Sequence, residues 1–194
     1  RVSYFKFGFK DLSIAFFLGV LVSAAAVGFL SRPAPVLEDY PLAPDSVVVL
    51  NDRDYFPTVL QLVQSAKESI HGAQFEAKFY SSARYSSSSV NQLVSELAAA
   101  KARGVDVKLL VDEYAKDNSA QEVLRAAGVE FKFDDPHVTT HAKLWVIDGR
   151  VVVVGSTNLS HFAFEKNHEA NVVLFSEGAA REFGEYFQEL WESS

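Results

Sequence analysis

Residues 141–160 read HAKLWVIDGRVVVVGSTNLS. Two apolar runs, AKLWVI and RVVVV, flank Asp148-Gly149, a dipeptide suited to the two positive-φ positions of a tight hairpin turn. The stretch therefore predicts a pair of antiparallel strands. Successive side chains alternate in direction along a strand, so His141 and Lys143 project from one face while Ala142, Leu144 and Val146 project from the other. An imidazole and an ammonium thus share one face of an otherwise apolar strand. At the end of the returning strand, Gly155 to Ser160 are small, hydroxyl or amide residues that can approach a phosphate without crowding it. Each residue alone is more often structural than functional; the conjunction points to chemistry. The chain holds no second copy of the pattern, so a reaction needing two such histidines must find the other elsewhere.

Upstream, strand and helix patterns alternate. SVVVL (46–50) reads as a buried strand, and residues 54–70 place Phe56, Val59, Leu60, Val63, Ala66 and Ile70 at helical spacing. AQFEAKFY (73–80) reads as the next strand, followed by a helix marked by Val90, Leu93, Val94, Leu97 and Ala98 that Gly104 can close. VDVKLLV (105–111) is a third strand. Ser119 and Glu122 have the spacing of a capping box for a short helix ending at Gly128, before VEFKF (129–133). After the hairpin come a strand, ANVVLF (170–175), and a closing helix with Phe183, Tyr186, Phe187, Leu190 and Trp191 on one face. The expected fold class is α/β, a mixed, mostly parallel sheet flanked by helices, with the antiparallel hairpin added late. SSARYSSSS (81–89) is a polar loop at a strand end, either a surface loop or a substrate-facing rim.

Residues 12–30, LSIAFFLGVLVSAAAVGFL, carry no charge. As a helix at about 1.5 Å per residue they reach roughly 28 Å, close to a bilayer's hydrocarbon thickness. They are expected to form an N-terminal transmembrane helix, with a cleavable signal peptide as the competing reading. Arg1, Lys6 and Lys10 before the span favour a cytoplasmic N-terminus and an extracytoplasmic domain. The expected organisation is a flank (1–11), the span (12–30), a linker (31–45) with four of the chain's six prolines, and a catalytic domain (46–194). Without Arg1, Lys6, Lys10 and Asp11, the 18 basic and 25 acidic residues fall to 15 and 24, a formal −9. That balance disfavours a generic nucleic-acid binder. The absence of cysteine excludes disulfides, thiolate metal sites and cysteine nucleophiles.

The order His141-x-Lys143-x4-Asp148, then Gly155-Ser156-x-Asn158 and Glu169, resembles the signature of the phospholipase D superfamily, sharply over residues 137–175. The resemblance implies a phospholipase D-like fold, a covalent phosphohistidine, no cofactor, and a site built from two such motifs. Small single-motif members, among them bacterial endonucleases and membrane-anchored Zucchini-type nucleases, imply a homodimer sharing one site. His141 of the partner subunit is then the second histidine, in keeping with two-fold symmetry. In that frame one His141 attacks phosphorus and the other donates a proton to the leaving oxygen. Glu169 orients and charges an imidazole across the dimer, and Lys143 and Asn158 surround the non-bridging oxygens. Ser156 and Gly155 contact substrate, and Asp148 serves the turn and supports the motif without catalysing.

The rival chemistry is a zinc site from His137, His141, His168 and Glu169, against which Lys143 would repel a dication. His161 and His168 are expected in loop or hydrogen-bonding roles. The reading is a membrane-anchored, single-pass phosphodiesterase. The anchor and the −9 lean its substrate to phospholipid. The alternative is an endonuclease on single-stranded DNA or RNA, served by a groove of Lys78, Arg84, Lys132 and Lys166. A reading of another class, an inactive tethered binding module, is opposed by the intact His141, Lys143, Asn158 and Glu169.

Overall fold

A computed structural model describes residues 45–117 and 119–194; the expected transmembrane helix and nearly all of the linker lie outside the described residues. In chain order the elements are β1 (Ser46–Asn51), α1 (Tyr55–Ser65), β2 (Ser69–Gln74), α2 (Ser89–Ala102), β3 (Asp106–Val111), α3 (Gln121–Ala126), β4 (Glu130–Phe133), β5 (Lys143–Ile147), β6 (Val151–Gly155), α4 (His161–Glu165), β7 (Ala170–Phe175) and α5 (Glu177–Glu192). No helix among the described residues is long and apolar enough to cross a membrane.

The seven strands form one sheet in the order β1-β7-β6-β5-β2-β3-β4. It is mixed, and the expectation of a mostly parallel sheet is corrected. Only β2–β3 and β3–β4 pair parallel. The other four pairings, β1–β7, β7–β6, β6–β5 and β5–β2, are antiparallel. The strand–helix rhythm predicts parallel neighbours only where a crossover returns beside its starting strand. Here β1, although followed by α1, lies at the far edge against β7, and the β5–β6 hairpin occupies the centre beside β2.

The hairpin turn forms as its residues demand, with φ of 51° at Asp148 and 61° at Gly149. β5 is buried on both faces. Trp145 and Ile147 pack with Val59, Val63, Leu93 and Leu97 of α1 and α2. Leu144 and Val146 pack with Phe187 and Trp191 of α5. Each such side chain, fully withdrawn from water, contributes roughly 1.5–3 kcal/mol. On α5, Phe183 and Leu190 are partly buried, but Tyr186 is largely exposed, beyond the edge of the apolar stripe.

Three expected boundaries shift. α1 stops at Ser65, because Ala66 takes an extended ψ of 137°, and Ile70 pairs in the sheet with Val107 and Ile147. β2 is therefore SIHGAQ rather than the run from residue 73 to 80. Gly72 disguises this strand and is required by it, since a Cβ there would lie 2.5 Å from Trp145 Cζ3. The N-cap of α3 is Ala120, so the capping box does not form; Ser119 Oγ only accepts a long 3.4 Å bond from the Gln121 N–H.

Candidate active site

The end of β2, the end of β3, the start of β5 and the end of β6 meet at one edge of the sheet. Lys143 opens β5 opposite Gln74, and Leu144 pairs with Val154. The His141 ring is exposed, while Lys143 is 7% exposed. Lys143 Nζ donates to the His141 carbonyl at 2.8 Å and lies 3.1 Å from His141 Nδ1. β5 begins at Lys143, so His141 precedes the strand expected to carry it, but the two-residue spacing still brings imidazole and ammonium together. Beneath both lies Phe75, its ring centroid 4.7 Å from the His141 ring and 5.1 Å from Lys143 Nζ. Burial lowers the pKa of Lys143, and the carboxylates of Glu169, Glu76 and Asp112 oppose that shift without cancelling it.

A charged Lys143 donating to Nδ1 leaves the neutral imidazole's proton on Nε2. For Nε2 to act as a nucleophile this contact must break and Nδ1–H must find an acceptor. Within one chain Glu169 does not fill that role. Its Oε2 accepts from Ser156 Oγ in a short hydrogen bond, and its Oε1 accepts from Asn167 Nδ2 at 3.0 Å.

The turn after β6 is pinned by Asn171 on β7. Asn171 Oδ1 accepts from the N–H groups of Ser156 at 3.1 Å and Thr157 at 3.2 Å, and Nδ2 donates to Thr157 Oγ1 at 2.8 Å. Gly155 makes room for this bracket: a Cβ there would sit 2.3 Å from Asn171 Oδ1 and 2.5 Å from the Ala170 carbonyl. Backbone packing accounts for this glycine. The bracket carries Asn158, whose Oδ1 is buried without a partner in the protein.

Asp148 lies at the opposite end of the hairpin from His141. Its carboxylate accepts from the backbone N–H groups of Lys67, Glu68 and Ser69 at 2.8 to 3.1 Å, fastening the hairpin to the start of β2. Burial pushes its pKa up, but the N–H groups of Glu68, Ser69 and Lys67, with Arg150, outweigh that and hold it below the usual carboxylate value.

Sequence reasoning missed Phe75, Asp112 and Asn171. Phe75 and Asp112 stand one residue beyond β2 and β3, positions that become visible only once the strand ends are known. Asn171 is a polar residue inside an apolar strand, a signal that was present in ANVVLF. Four buried side-chain polar atoms among the described residues have no partner in the protein: Gln74 Oε1, Asp112 Oδ2, Asn158 Oδ1 and His161 Nδ1. Three of them, on Gln74, Asp112 and Asn158, belong to residues at or within three positions of the ends of β2, β3 and β6; the fourth is on His161, which opens α4 and packs against Tyr80 and Tyr85. Unsatisfied buried groups are rare, and three of them near these strand ends mark a place built to meet something else. A cleft of about 400 Å³ opens beside His141, with Phe75, Asp112, Tyr114, Asp134 and Val138 in its walls.

The other expected residues are elsewhere. His168 Nδ1 lies 3.1 Å from Asp52 Oδ2, and the His137 N–H donates to Asp135. No group of three His, Asp or Glu side chains suited to a metal occurs among the described residues. Lys78 donates to the carbonyls of Ala115 and Asp117, and Lys132 to those of Trp191 and Ser194. These two lysines tie down chain segments, and Arg84 lies over the Tyr85 ring.

The family model described as cardiolipin synthase, PLD-like domain, matches residues 59–191, more than half of the chain. The chain belongs to the phospholipase D superfamily. It is 33% identical over 92 residues to canine mitochondrial cardiolipin hydrolase, covering 46% of this chain and 36% of that protein. It is 30% identical over 124 residues to cardiolipin synthase B of Escherichia coli K12, covering 57% of this chain and 28% of that one. The chain thus matches about a third of the length of these curated relatives. Among solved structures, Nuc of Salmonella typhimurium, a phospholipase D family member, is 26% identical with a TM-score of 0.65, covering 76% of this chain and 96% of that one. NucT of Helicobacter pylori, at 18% identity and a TM-score of 0.62, shares the fold, with 76% of this chain and 96% of that one covered.

Proposed function

We propose that this phospholipase D-like chain is a membrane-anchored phosphodiesterase that works through a phosphohistidine on His141, as a homodimer, with phospholipid as substrate. The observation that carries the reading is the exposed imidazole of His141 held 3.1 Å from the buried ammonium of Lys143. When an anionic phosphodiester enters, Lys143 exchanges His141 Nδ1 for a phosphoryl oxygen, the ring proton passes through solvent from Nε2 to the freed Nδ1, and Nε2 attacks. Asn158, whose amide oxygen has no partner in the protein, stands on the turn after β6 and is the amide taken to share the non-bridging oxygens with Lys143. The proton on Nδ1 then needs a carboxylate, and one chain leaves Glu169 bound to Ser156 and Asn167. A second copy supplies both the rearrangement and the protonated His141 that the leaving oxygen requires.

Phospholipid is favoured by three observations: the apolar run at 12–30, the formal −9 of the remaining chain, and the carboxylates in the cleft beside His141. The relatives named cardiolipin hydrolase and cardiolipin synthase support the same class. The alternative is cleavage of single-stranded DNA or RNA. The test is to incubate the full chain with phosphorus-labelled phospholipid vesicles or oligonucleotides and quench in alkali, where phosphohistidine survives. Label on His141 from phospholipid, absent in His141→Ala, is expected. Turnover without a labelled histidine overturns the mechanism; label from oligonucleotides alone overturns the substrate.

A further inference from the structure

The cleft beside His141 is acidic and aromatic, an uncommon lining for a site that receives an anionic diester. Two of its carboxylates are occupied. Asp134 accepts from the N–H groups of Glu113 at 2.8 Å and Thr140 at 2.9 Å, and Glu113 pairs with Lys116. Asp112 is different. Its Oδ1 accepts from the Tyr114 N–H at 2.9 Å, but Oδ2 has no partner in the protein although the residue is only 3% exposed. Lys143 feels its charge but makes no hydrogen bond to it, Nζ bonding the carbonyl and Nδ1 of His141 instead. A buried carboxylate oxygen calls for a donor, best a charged one. Next to it, Phe75 and Tyr114 stack with centroids 6.4 Å apart, and Tyr114 is 85% exposed. Such faces attract cations.

We propose that this cleft is the subsite for the alcohol side of the substrate, and that it takes an alcohol bearing a primary ammonium group, of the ethanolamine type. The assignment rests on the phosphodiesterase reading above. The ammonium N–H bonds Asp112 Oδ2 while its charge lies against Phe75 and Tyr114, and the attached oxygen reaches the phosphorus beside His141. A quaternary ammonium satisfies the rings but has no N–H for Oδ2. A second phosphate, as along a nucleic acid strand, meets Asp112, Glu113 and Asp134 and is repelled.

The test compares kcat/KM of the full chain in mixed micelles for phosphatidylethanolamine and phosphatidylcholine with identical acyl chains. Bis(p-nitrophenyl) phosphate serves as a diester with no ammonium. A charge-assisted hydrogen bond predicts a preference for ethanolamine of about tenfold or more. Asp112→Asn, which keeps an acceptor for the Tyr114 N–H, should bring the two lipids within about twofold. Tyr114→Ala, at an exposed position, should lower both lipids against the nitrophenyl ester and leave their ratio in place. Should Asp112→Asn not fold, the wild-type preference and Tyr114→Ala decide. Equal use of both lipids by wild type, or a ratio untouched in Asp112→Asn, overturns the subsite while nitrophenyl ester hydrolysis upholds the phosphodiesterase. Failure of wild type on all three diesters overturns that reading first.

Discussion

The side-chain carbonyl of Asn171 accepts the backbone N–H of Ser156 at 3.1 Å, and this bond, with its companion to Thr157, sets where the turn bearing Asn158 stands. Asn171 is 4% exposed and Thr157 fully buried, so water cannot replace the amide. Asn171→Ala should therefore cost about 1–3 kcal/mol, because the Thr157 N–H is left unpaired in a buried setting, whereas the exposed Ser156 N–H keeps the Ala170 carbonyl as acceptor. The check is urea denaturation, read as a lowered midpoint at constant slope. Gly155→Ala should be at least as damaging, since its Cβ would collide with the same amide oxygen.

Asp148 predicts a pH signature. Its folded pKa lies below the ordinary 3.8, so the carboxylate stabilises the fold fully above that value and loses its contribution as pH falls through the lower folded pKa. Asp148→Asn removes the charge and turns an amide NH₂ toward backbone donors. It should cost about 2 kcal/mol at neutral pH, mostly through the bonds to Lys67, Glu68 and Ser69, since the exposed Arg150 pair adds little. Measured from pH 7 down to about 3, the gap between wild type and variant should narrow only below the ordinary carboxylate range. A gap independent of pH would assign the loss to shape alone. Because the carboxylate stands at the turn, residual activity per folded molecule should stay near that of wild type.

How far the sequence could be read depended on whether a signal was local. The Asp148-Gly149 turn and the two-residue spacing of His141 and Lys143 depend on neighbouring residues alone, and the structure has the turn and the imidazole–ammonium contact, although β5 begins only at Lys143. The place of β1 is decided by pairing with β7, more than a hundred residues away, and no local pattern carries it. Gly72 hid β2 because its reason is the Trp145 ring on the adjacent strand. The same limit applies to the candidate site. His141, Lys143 and Asn158 were legible because they crowd into one hairpin and its exit. Phe75 and Asp112 arrive from two other strand ends, and the free oxygen of Asp112 can be recognised only after every donor nearby has been assigned.

Chelation separates the proposed chemistry from a zinc mechanism. Histidine, lysine and amide groups supply the nucleophile and the charge stabilisation that a metal otherwise provides. Hydrolysis by the full chain should therefore be unchanged, within about twofold, after prolonged treatment with EDTA. Loss of turnover that zinc restores would replace the phosphohistidine by a metal-bound nucleophile and would turn attention to His137 and His168.

The proposed shared-site dimer makes the most demanding prediction, because it concerns mixtures. One composite site needing His141 from both chains leaves only the square of the wild-type fraction competent when subunits mix freely. An equal mixture of wild type and His141→Ala should then retain about a quarter of full activity, whereas independent sites retain about half. The substrate must have a leaving oxygen that needs a proton. A nitrophenolate leaves without one, so a single nucleophilic His141 suffices for its first step, and its curve should lie above the quadratic. Co-expressing the two forms at known ratios, and assaying a natural phosphodiester beside a nitrophenyl ester, tests both statements. Activity on the natural diester falling in proportion to the wild-type fraction would remove the second histidine from the mechanism. The acceptor for the Nδ1 proton would then have to come from within one chain, with Glu169 released from Ser156.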